Sequence, residues 1–128
     1  MEHQIPFEEG EYFVEQAFLV APDNSAVELN DTVIKVYMGP QGKHQINGTS
    51  LVRNVLLVEL LENSDDVDLV LNLGEEFKYI LKKPVLKGGK VFAPDVKSTL
   101  QFFPSKAWEK IPQAEFENLL SQLKFISV

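Results

Sequence analysis

Between residues 67 and 82 the side chains alternate in character. Val67, Leu69, Leu71 and Leu73 are separated by Asp68, Val70 and Asn72; after Gly74 the period resumes, with Phe77, Tyr79 and Leu81 against Lys78, Ile80 and Lys82. A period of two sends successive side chains to opposite faces of an extended strand, so one face of this pair is apolar and the other mixed. Two strands alone cannot bury such a face. They need more strands or a helix against them, and this requirement sets the fold class.

The rest of the chain supplies the partners. Residues 7–21 could place Phe13, Val14, Ala17, Phe18 and Ala21 on a helical stripe opened by Pro6, but β-forming residues dominate and Gly10 would interrupt a helix, which favours a strand over about 11–20. Pro22-Asp23-Asn24-Ser25 reads as a turn. Residues 27–29 and 32–38 read as strands joined or kinked at Asn30-Asp31, and Gly39-Pro40-Gln41-Gly42 ends the second. A short strand over 44–46 is expected to meet a hairpin at Asn47-Gly48, a dipeptide that accepts positive φ. In the dense apolar run 51–61, β-branched Val52, Val55 and Val58 favour a buried strand over a helix starting at Ser50. Pro84 lacks an amide donor, so its strand should end there or lie at an edge. Residues 85–87 and 90–92 flank Gly88-Gly89 as a hairpin, and 99–103 form a last strand.

The C-terminal segment changes period. Ser105 is placed to cap a short turn running through Trp108 and Ile111, after which Pro112 opens a helix over 113–124. Glu115 and Glu117 lie near its positive end, and Phe116, Leu119, Leu120 and Leu123 make one stripe at i, i+3, i+4 and i+7. The expected fold is α+β: a single domain over 1–128 with six to eight mostly antiparallel strands, forming a curled sheet or small β-barrel closed by the C-terminal helix.

Charge is unevenly placed along the chain. Lys78, Lys82, Lys83, Lys87, Lys90 and Lys97 are half of the 12 cations and share their stretch with one acid, Asp95, whereas the first 34 residues hold eight acids and no Lys or Arg. If the lysines form a ribbon around Gly88-Gly89, they make a basic finger suited to an acidic partner, another protein or a second copy of this chain. Lys82, Lys83, Lys87, Lys90, Phe92 and Lys97 are the residues expected to carry that contact, because exposed lysines alone bind weakly and need apolar help. Exposed lysines also serve simply to keep an edge strand from aggregating. A net charge of −7 and a single arginine, Arg53, speak against nucleic acid, which is recognised largely through arginine.

Chemical motifs are scarce. No cysteine means no disulfide, thiolate nucleophile or cysteine-bound metal, and only His3 and His44 could titrate near neutrality. Asn63-Ser64-Asp65-Asp66-Val67-Asp68 has the acid density of a calcium loop, but Asp68 stands at the glycine position and Gly74 at the closing glutamate position. Gly39-Pro40-Gln41-Gly42-Lys43-His44 has two residues between its glycines where a phosphate loop has four. Asn30-Asp31-Thr32 and Asn47-Gly48-Thr49 match the glycosylation pattern, yet residues 1–10 lack the features of a secretory signal. No catalytic residue, metal site or cofactor is assigned. No run approaches a membrane span, and the cytoplasm is the expected compartment.

The first functional expectation is therefore a non-catalytic interaction or assembly module with a charge-segregated surface. A second is a small-molecule-binding or catalytic barrel, with a cavity between sheet and helix. A third is nucleic-acid binding through the lysine-rich hairpin.

Overall fold

A computed structural model describes residues 8–40, 42, 44–53, 55, 56, 59, 60, 66–74, 77–88, 97–105 and 109–126. Strands β1 (Gly10–Phe13) and β2 (Gln16–Val20) run antiparallel to the 14-residue β3 (Ser25–Met38). One register holds throughout: Gly10 faces Val36 and Val20 faces Ala26, with no residue gained or lost between. The turn between them is closed by Asn24, at φ 71°, a conformation Asn tolerates, and by Asn24 N–H donating to the Ala21 carbonyl at 2.9 Å. At Glu15 the path changes. Val14 N–H still reaches Thr32, but Glu15 N–H turns to the carbonyl of Asn72 at 2.8 Å. From Gln16 onward β2 gains β5 (Asp68–Asn72) on its other edge, and β1 does not.

β3 holds the architecture together. Its C-terminal half lies between β1 and β4 (His44–Arg53); its N-terminal half lies between β2 and the parallel β10 (Lys124–Phe125). The register with β4 shifts between Asn30 and Val33, where Asp31 takes φ 47°. Such a bulge bends the strand and steepens its twist. β3 is thus one strand kinked at Asn30-Asp31, as the sequence suggests, and the kink divides the sheet into two leaves. The first leaf is β1, the second half of β3, β4, β8 (Lys97–Phe103) and β7 (Val85–Gly88). The second is β10, the first half of β3, β2, β5, β6 (Lys78–Leu81) and β9 (Glu109–Lys110).

The leaves share one core. Leu19, Val27, Leu69, Leu71, Tyr79 and Leu81 from the second leaf join Ile34, Ile46, Val52, Leu100 and Phe102 from the first. Thr32 and Ser50, both buried at the bulge, satisfy each other through a hydroxyl–hydroxyl bond of 2.8 Å. On its other face the second leaf carries Phe18, Val20, Ala26, Val70 and Ile80, and α1 (Gln113–Gln122) covers them with Phe116, Leu119 and Leu120, together with Leu123 just past its end. The alternation of β2 explains this division, since Ala17 and Leu19 face the shared core and Phe18 and Val20 face the helix.

Several expectations need correction. The described residues form ten strands, and their sheet is open: its path ends at β7 and β9 without joining them, so a closed barrel does not form. Asn47-Gly48 makes no hairpin; β4 runs straight through it, and glycine stands there because a Cβ at Gly48 would collide with the Phe102 ring. Residues 51–53 finish β4, but Val55, Leu56, Glu59 and Leu60 are helical, with Leu56 and Leu60 directed to the shared core at i and i+4. The C-terminal helix stops at Gln122, and Lys124 is already extended because its N–H pairs with the carbonyl of Asn24 at 2.8 Å. Ser105 donates to the Lys83 carbonyl at 2.5 Å rather than capping a turn, and Trp108 lies outside the described residues.

Candidate interaction surface

Once folded, the described lysines of the basic stretch have different surroundings. Lys78 is only 4% exposed, facing α1 with its ammonium 5.4 Å from the centre of the Phe116 ring. Lys82 reaches Asp68 at 3.2 Å and Lys83 reaches Asp66 at 3.5 Å, both at the surface. The turn after β6 sets these pairs, because the Asp68 carboxylate also accepts the Lys83 backbone N–H at 3.2 Å and Lys83 has φ 47°. Lys87 lies on the exposed face of β7 with its ammonium 5.4 Å from the centre of the Phe103 ring. Lys97 opens β8 opposite Arg53. Lys90 and Phe92, and with them the second arm of the expected hairpin, lie outside the described residues. The strand neighbour of β7 among the described residues is β8.

A different surface takes shape on the first leaf. The face that turns away from the core carries one transverse row through all five strands: Phe13, Val33, Thr49, Gln101 and Lys87. Beside it lie the rows Glu11–Lys35–Asn47 and Phe103–Val85. Phe13 is 85% exposed and Val85 46%, at opposite margins of the leaf; Leu51, Tyr37 and Phe103 are half-buried on the same face. The second leaf has α1 over its outer face, whereas no described element covers this one. Sequence reasoning missed these residues. The signal was present in the alternation of Val33, Lys35 and Tyr37 with buried Thr32, Ile34 and Val36, but period two does not tell which face meets water.

Among the described residues the margin at β1 is also an open backbone edge. Val14 N–H bonds to Thr32, so the ladder places Tyr12 and Gly10 in the hydrogen-bonded pairs with β3. The amide and carbonyl groups of Glu11 and Phe13 then point away from β3, toward the outside of the leaf. Among the described residues β3 is the only strand that pairs with β1. A strand with an exposed ring and outward-pointing backbone groups is a template for another strand.

Other chemistry is thin among the described residues. They contain no group of three or more His, Cys, Asp or Glu placed to hold a metal ion. The layer between the second leaf and the C-terminal segment is filled with rings: Phe18 and Phe116 centroids are 6.2 Å apart, and Phe18 meets Phe125 edge-on at 5.8 Å. Asp23 is held below the usual carboxylate range, first by the Ser25 backbone N–H at 3.0 Å and then by its hydroxyl, which fits a turn lock at the surface. Among the described residues no helix is long and apolar enough to cross a membrane. Compared with protein-family models, curated proteins and solved structures, the chain matches none of them.

Proposed function

We propose that this protein is a non-catalytic interaction module that binds another protein through the outward face and margins of its first leaf. The observation that carries the reading is the asymmetry between the leaves. One is covered on both faces, and the other exposes Phe13 and Val85 at its two margins, with half-buried Leu51, Tyr37 and Phe103 between them. Aromatic residues set among polar neighbours are the usual composition of a contact surface. The Lys82–Asp68 and Lys83–Asp66 pairs favour this reading over nucleic-acid binding, since those ammonium groups already have carboxylate partners. The ring-filled layer beside α1 favours it over a ligand cavity there.

Site-specific photo-crosslinking in cells tests it. A photoreactive side chain at Thr49 or Gln101, on the outward face of the first leaf, should give a defined adduct with one protein. The same group at Glu117 or Gln122, exposed on α1, should not. Equal adducts from both faces, or none from the first leaf, would overturn the reading.

A further inference from the structure

We infer that the partner includes a second copy of this chain, joined edge to edge, with β1 of one copy pairing with β7 of the next so that the first leaf continues across the junction. This rests on the interaction reading above and names the partner taken by the margins of the leaf, leaving the outward face around Thr49 and Gln101 to a different protein. Among the described residues β1 and β7 are the two end strands of that leaf. The four successive antiparallel pairings from β1 through β3, β4 and β8 to β7 make β1 and β7 run in the same direction. The next copy's β7 therefore lies parallel to β1 when the outward faces align. The Glu11 and Phe13 backbone groups that point out of β1 supply the hydrogen bonds.

Charge selects this pairing over the alternatives. Residues 8–15 carry Glu8, Glu9, Glu11 and Glu15 and no cation, so β1 against β1 sets carboxylates against carboxylates. β7 carries Lys87, so β7 against β7 opposes two ammonium groups. Only β1 against β7 brings opposite signs together, and like charges across an interface exclude the wrong pairing. The junction also covers Phe13 and Val85, which stand on the same face at opposite ends of the leaf. A head-to-tail contact of this kind is heterologous and propagates instead of stopping at a dimer.

Light scattering over a range of concentrations, at low and at high salt, tests this with four samples: wild type, Glu11→Lys, Lys87→Glu and an equal mixture of the two variants. Wild-type mass should climb with concentration at low salt and fall to one chain at high salt. Each variant alone should stay at one chain, because each reversal sets like charges at the junction. The mixture should assemble again, since both of its junctions pair opposite charges. Circular dichroism of the variants should match the wild type, both positions being exposed. Wild type at one chain throughout, a mixture that stays apart, or a discrete dimer indifferent to salt and to both reversals would overturn the inference. The interaction reading itself would still stand if Thr49 and Gln101 crosslink to a different protein.

Discussion

Gly48 occupies the middle of β4 because the Phe102 ring fills the space its side chain would need. A Gly48→Ala chain must shift that ring within a close-packed core, at a cost of about 1–3 kcal/mol. The urea midpoint should fall accordingly, and adding Phe102→Leu should recover part of the loss, because the two positions share one volume. An unchanged midpoint for Gly48→Ala would contradict the packing described. Read alone, Asn47-Gly48 looks like a hairpin, and the residue that explains the glycine lies on another strand, where no local pattern reveals it. The turn at Asp23 was legible from Pro22-Asp23-Asn24-Ser25 alone, because its hydrogen bond spans two residues. The carboxylate form of Asp23 accepts the Ser25 N–H, so its folded pKa lies below its unfolded one. The contribution to stability is then complete above the unfolded pKa and is lost as pH falls through the folded value. An NMR titration of the Asp23 carboxyl carbon should show a midpoint under the usual Asp range, and Ser25→Ala should leave it lowered, since the backbone donor remains. A midpoint at or above the usual range would contradict the turn.

Elements differ in how firmly they are held. α1 buries Phe116 fully and Leu119 and Leu120 in part, starts with Glu115 near its positive end, and has no side-chain cap at Pro112. Its stability comes mostly from the layer it covers. Phe116→Ala should cost about 3–5 kcal/mol. Hydrogen exchange should then accelerate first in α1 and β10, while β4 and β8 keep protection until global unfolding. Equal loss of protection in both leaves would show that the helix is not a separate layer. Both the stripe of α1 and the alternation of β5 and β6 were readable because each element buries one regular face. Residues 55, 56, 59 and 60 were not. Val52, Val55 and Val58 gave the run a strand composition, but helical spacing brings Leu56 and Leu60 to the same core, and tertiary burial overrode propensity.

For the molecule as a whole, the described lysines of the basic stretch have different surroundings. Lys82 and Lys83 face Asp68 and Asp66, and Lys78 goes beneath the helix. Sequence order carried the composition of the surface but not its pairing, because β5 and β6 bring residues of the acidic turn beside the lysines. The two described margins of the first leaf differ in sign, acidic at β1 with Glu11 and basic at β7 with Lys87. The account turns on that leaf having one face packed and one that no described element covers. Hydroxyl-radical labelling at high salt, read residue by residue by mass spectrometry, tests this directly. Phe13 should be oxidised far faster than Phe18, Phe102 and Phe116, with Tyr37 and Phe103 between them. A Phe13 as protected as Phe18 would mean that the face is covered and the surface described here does not exist.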